Sequence, residues 1–133
     1  DVASNGNIWG GTANKIIDAA GAQSSVAVTA QAISTATFTP NFANYINFSI
    51  TLSSACPCTL ANPSGAYNGL AGFIEVIQDG SGSRTITTYG STWKFSGGTK
   101  PTLSTTASAK DVLPFFCDSS TFCMVGAIQT AFQ

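Results

Sequence analysis

The sequence predicts an all-β fold: an antiparallel β-sandwich, jelly-roll-like, behind a short irregular N-terminal lead-in. Three observations carry that expectation. Short segments rich in β-branched residues alternate apolar with polar, turn residues (Gly, Pro, Asn, Ser) separate them, and no long stretch has helical period. Period-two alternation sends successive side chains to opposite faces of a strand, whereas a helix needs apolar residues three and four apart. At 133 residues the chain is the size of one domain and can bury a core.

Taken in order, residues 1–21 are rich in Gly and Asn, with only "NKIIDAA" able to form a helical turn, and read as a lead-in or stalk. The β domain is expected over 22–133. "SVAVTA" (25–30) and "STATFT" (34–39) alternate as half-buried strands do. The clearest signal is "YINFSITL" (45–52), with Ile46, Phe48, Ile50 and Leu52 on one face and Asn47, Ser49 and Thr51 on the other. "GFIEVIQ" (72–78) is apolar at both parities and reads as a central strand covered on both sides. "DGSG" (79–82) supplies a tight reversal, so "SRTITTY" (83–89) is expected back as its hairpin partner. "DVLPFFCD" (111–118) and "TFCMVGAIQTAF" (121–132) form a second hairpin, and Pro114, with no N–H to donate, places its strand at an edge or a bulge.

Composition narrows the function classes. Only 8% of the residues are charged, against about 25% in ordinary globular chains, while 44% are apolar. That balance disfavours disorder. A net charge of −1 without a basic cluster predicts no nucleic-acid partner. No apolar run approaches the roughly 18 residues of a membrane span, and the start "DVASNGNIWGG" lacks a signal-peptide layout. A surface wetted by Thr, Ser, Asn and Gln suits a protein that packs against its own copies or works outside a cell.

Catalytic residues are not expected. The chain has no His, which removes the commonest general base. Its acids are Asp1, Asp18, Glu75, Asp79, Asp111 and Asp118. Glu75 and Asp79 share a strand face but stand about 13 Å apart by strand rise, wider than either class of glycosidase uses. "DGSGS" (79–83) begins like a calcium loop, yet Gly90 occupies the position of the closing bidentate acid. The sequon at 47–49 lies within the clearest strand. No metal and no cofactor are expected.

The cysteines fall as "CPC" (Cys56, Cys58) and "CDSSTFC" (Cys117, Cys123). Neither spacing is the zinc knuckle C-x₂-C, so disulfides fit best, with free thiols and metal as the alternatives. A hairpin loop over 119–121 would set Cys117 opposite Cys123. A Cys56–Cys58 ring is expected to be strained, which leaves cross-pairing with Cys117 and Cys123 open.

"QDGSGSRTIT" (78–87) followed by "STWKFSGGTKPTLSTTASAKDVL" (91–113) resembles the C-terminal region of tail-fibre-type proteins of phages and prophages. "TANKII" (12–17) and "INFSITLSSACPCTLANPSGAYNGLAGFIEVIQDG" (46–80) extend the resemblance over residues 12–133. It implies a β-rich component of the virion surface, a fibre or spike module, homotrimeric, in contact with other virion proteins and with host-surface glycan. The rival is a purely structural decoration or connector protein. "CPC" and the Cys117–Cys123 segment depart from the family's pattern. Within the opening motif, Trp93 and Phe95 share a face and are expected in a core or a subunit contact. Alternatively, Trp93 and Tyr89 form a stacking platform for a sugar ring, as Trp9 and Tyr67 equally could. Apolar residues at both parities of 121–132 (Phe122, Met124, Ile128 and Phe132 against Val125, Ala127 and Ala131) leave one face needing a partner.

Overall fold

Alternating apolar positions resolve into ten strands in the folded chain. The computed structural model describes residues 26–33 and 35–133. The lead-in at 1–21 and Trp9 lie outside the described residues. The strands are β1 (Val28–Ala32), β2 (Thr37–Phe38), β3 (Asn47–Thr51), β4 (Cys58–Leu60) and β5 (Leu70–Ile77). They continue with β6 (Ile86–Tyr89), β7 (Trp93–Phe95), β8 (Lys110–Ser119), β9 (Phe122–Val125) and β10 (Gln129–Phe132). One 3₁₀ turn, Ser96–Gly98, interrupts them, and the fold is all-β.

The strands form two sheets. The larger runs β1-β3-β5-β8-β9-β7, with β10 also paired to β8; the smaller runs β2-β4-β6. From β1 to β6 the chain alternates between the two sheets, and each return pairs in parallel with the preceding strand of that sheet. An Asn41–Ser64 parallel bridge adds a further link between successive coils. This half is β-solenoid-like. Antiparallel pairing is confined to β8, which meets β5, β9 and β10.

That pairing corrects the expectation of an antiparallel jelly-roll. It also corrects the first hairpin. "DGSG" does turn the chain: Asp79 Oδ1 accepts the N–H groups of Ser81 and Gly82 at 3.0 and 2.8 Å. The following strand, however, joins β4 in the small sheet, because β3 and β8 occupy both edges of β5. Gln78 holds this crossing in place, accepting from Arg84 N–H at 2.9 Å and donating to Arg84 and Ser104 carbonyls at 2.8 Å. Turn residues encode a reversal, not the partner that follows it.

The second hairpin forms as expected, with Cys117 opposite Cys123. Pro114 sits not at an edge but in the central strand β8. It faces the interval between β9 and β10, where its carbonyl accepts Gly126 N–H at 2.9 Å and the missing donor interrupts no ladder.

Between the sheets lies one core. Phe48, Ile50, Ile74, Val76, Leu113 and Phe115 come from the large sheet, Phe38, Leu60 and Ile86 from the small one. Phe38 meets Phe48 edge-on across the layers at 5.5 Å, and Phe42 packs on Phe48 and Phe115 at 5.7 and 5.0 Å. β3 follows its sequence pattern, with one exception: Asn47 is buried. Its side chain donates to Val26 O at 2.7 Å and accepts from Phe73 N–H at 3.0 Å, stitching neighbouring strands together. Gly72 permits that approach, since a Cβ there would stand 2.8 Å from Asn47 Oδ1. β5 is central but not covered on both sides: Ile74 and Val76 are buried, whereas Phe73, Glu75 and Ile77 are half-buried on the outer face.

Candidate functional site

Each of the acids weighed for catalysis is held by its own neighbours. Glu75, on the outer face of β5, accepts the Ser49 hydroxyl at 2.6 Å and pairs with Lys110 at 3.2 Å. The Ser49 hydrogen bond, opposed by burial and helped by Lys110, holds this carboxyl below its ordinary value. Asp79 carries a burial effect that would raise it, outweighed by Arg84 at 2.9 Å and the two turn N–H groups, and is likewise lowered. A general acid at neutral pH needs the opposite shift. Asp111 is buried in β8 and accepts the N–H groups of Ser104 at 2.6 Å and Ala131 at 2.9 Å, tying the long 96–109 connection and β10 to the sheet. Sequence reading missed that role, because a single Asp before an apolar run carries no sign of what it will bond.

All four cysteines are in disulfides, Cys56–Cys58 and Cys117–Cys123. The second is the pair set up by the hairpin. The first corrects the expectation against a local ring: the turn over Pro57 brings the two Cα atoms to 4.3 Å, so no cross-pairing occurs.

Tyr89 and Trp93 do line one shallow groove, of about 340 Å³, with Lys94, Phe95, Gly98 and Lys100. They do not form a stacking pair. Trp93 is only 4% exposed, packs edge-on against Phe42 and Phe115, and donates Nε1–H to Ala61 O at 2.8 Å. Its faces belong to the core. Tyr89 is half-buried against Phe95, rings 4.9 Å apart, with the Lys100 ammonium 6.0 Å from its ring. Burial pushes the Tyr89 hydroxyl up to about 12. A second, larger hollow of about 590 Å³ continues past Phe95 and Lys100 between Ser96–Thr102 and Val125–Ile128. Tyr67, the other described aromatic considered for stacking, is exposed but lines neither hollow.

No known protein family, curated protein or solved structure matches this chain. Its own surface therefore has to indicate what it binds.

The most distinctive surface is the outer face of the large sheet. Register places Ala71, Phe116, Met124 and Lys94 in one row across β5, β8, β9 and β7. Phe73 and Pro114 lie opposite each other in the next row. Phe116, Phe122 and Met124 are each about 40% exposed, and Phe132 is 49% exposed. The Lys94 ammonium lies 5.4 Å from the Phe122 ring centroid. Outward Phe122 and Met124 were legible from parity. Phe116 was not, because "PFFC" gives no sign of which Phe faces out.

Proposed function

We propose that this chain is a non-enzymatic structural module of a virion surface, a fibre or spike domain that assembles with its own copies and contacts host-surface glycan. The observation that carries the reading is the apolar outer face of the large sheet. Four strands at about 4.8 Å spacing, the longest of ten residues at about 3.4 Å rise, present roughly 650 Å² there. That approaches the ~800 Å² per partner of a standard specific interface. Scattered exposed apolar residues are normal on soluble proteins; a contiguous patch of this size marks an interaction site. A second copy is the occupant that fits, since the patch is apolar at its centre and the chain carries little charge to keep copies apart. The tail-fibre resemblance supplies the number three and the setting on a particle.

Two intact disulfides with no free thiol suit an oxidising, extracellular setting. They also make a clean probe available. In particles whose chains carry Met124→Cys, a short bis-maleimide should link copies into a ladder ending at the trimer, and antibody against the chain should decorate intact particles. Antibody that finds the chain only in lysate, with no cross-linked species in particles, contradicts the proposal.

A further inference from the structure

Among the described residues there are four cations, and they divide into two kinds. Arg84 pairs with Asp79 and Lys110 with Glu75. Lys94 and Lys100 have no carboxylate partner among the described residues, and both line the groove at Tyr89 and Phe95. No Asp or Glu lines that groove or the hollow continuing from it past Lys100. A chain of net charge −1 thus concentrates its unpaired positive charge in one concavity. Low-dielectric walls around like charges focus their field and draw in anions.

The rest of the lining selects the kind of anion. Tyr89 and Phe95 supply aromatic surface, while Ser96 and Thr99 supply hydroxyls on the hollow's rim. Gly97 and Gly98 both take left-handed backbone with open space around them, which keeps that rim low. The Tyr89 hydroxyl is buried and is the one such side-chain atom without a hydrogen-bond partner among the described residues. Buried polar atoms are nearly always paired, so an orphan beside a concavity marks a position where an incoming hydroxyl or carboxylate completes a bond. Two hollows of about 340 and 590 Å³ fall within the size range of ligand sites. A nucleic-acid strand would need a longer basic track than two lysines provide.

We infer that the groove formed by Tyr89, Lys94, Phe95 and Lys100 binds an acidic saccharide, its carboxylate held by the two ammonium groups and its ring set against the aromatic pair. The site rests on the glycan-contacting part of the function proposed above and names the class of glycan. It is independent of self-association.

Calorimetric titration of the full chain tests it with three probes: an oligogalacturonate, a neutral galacto-oligosaccharide of equal length, and free citrate. The acidic oligosaccharide should bind at least about tenfold more tightly than either of the others, and raised salt should weaken it, because half-exposed charges are screened. Lys94→Gln with Lys100→Gln should lower that affinity about tenfold or more, and Tyr89→Phe several-fold, without loss of the folded state. Equal binding of the neutral sugar, citrate binding as tightly as the oligosaccharide, indifference to the lysine substitutions, or no binding at millimolar concentration each overturns the inference. Light scattering on the same samples separates outcomes: a chain that self-associates but ignores the sugar loses this site and keeps the assembly proposal.

Discussion

Phe115 and Phe116 are adjacent, chemically identical and treated in opposite ways. Phe115 is 5% exposed, wedged against Phe42 and Trp93 at 5.0 and 5.8 Å; Phe116 is 43% exposed on the other side of the same strand. The two faces of the large sheet repeat that contrast throughout. Inward lie Phe48, Ile74, Leu113 and Cys117, all buried; outward lie Phe116, Phe122 and Met124, in reach of solvent. A face that serves only to meet water is normally polar. Here apolar side chains stand on both, and the difference between them is not chemistry but whether one chain can cover them.

The largest effect expected from breaking this contrast is Phe115→Ala. It opens a cavity in the aromatic cluster and should cost about 3–5 kcal/mol in denaturant unfolding. Phe116→Ala should change the unfolding of dilute, dissociated chain by no more than about 0.5 kcal/mol. Similar losses at both positions would mean that the outer face is already covered within one chain.

Asn47 sharpens the contrast, because it occupies an outward position yet is buried by its bonds to Val26 and Phe73. Asn47→Ala strands an amide and a carbonyl, and urea titration should show a loss of about 1–3 kcal/mol. An unchanged midpoint would show that these bonds are replaced by water at no cost.

Glu75 is the polar element of the outer face. Its folded carboxyl lies below its ordinary value of 4.5, so its contribution is fully present above that value and disappears as pH falls through the lowered folded value. Wild type should exceed Glu75→Gln in stability at neutral pH and converge with it in acid. Parallel curves across that range would contradict the assigned pairing with Ser49 and Lys110.

The smallest effect belongs to Tyr89, an inward residue at the rim. Its hydroxyl titrates near 12 when folded against 10 ordinarily, so its contribution is intact below pH 10 and lost as pH rises through 12. Tyr89→Phe should match or exceed wild type by up to about 1 kcal/mol at neutral pH, because the removed hydroxyl has no partner, and should lack that alkaline decline. A clear loss at neutral pH would reveal a bond to that hydroxyl.

Much of this was legible in the residues, within the limits of what alternation encodes. "YINFSITL" announced β3 and its buried face because period two reports parity directly. The Cys117–Cys123 bridge followed from a hairpin whose two strands are contiguous in sequence. Partners distant in sequence were not legible. Alternation says which way a side chain points, not which strand lies alongside, so the parallel coils β1-β3-β5 and β2-β4-β6 could not be told from an antiparallel sandwich. The same gap hid the groove. Lys94, Lys100 and Tyr89 read separately as surface residues, and only the crossing from β6 to β7 sets them around one hollow. Trp93 shows the converse error: an aromatic in a Thr/Ser/Gly-rich stretch resembles a sugar platform until its indole is found bonded to Ala61 inside the core.

Light scattering across a concentration series, comparing wild type with Phe116→Ser/Met124→Ser, tests the central claim most directly. The account predicts an oligomer for wild type at micromolar concentration, with three copies the expected state, and a folded monomer for the double variant with an unchanged circular dichroism spectrum. A wild-type chain that stays monomeric at that concentration, or a double variant that assembles as wild type does, would contradict it.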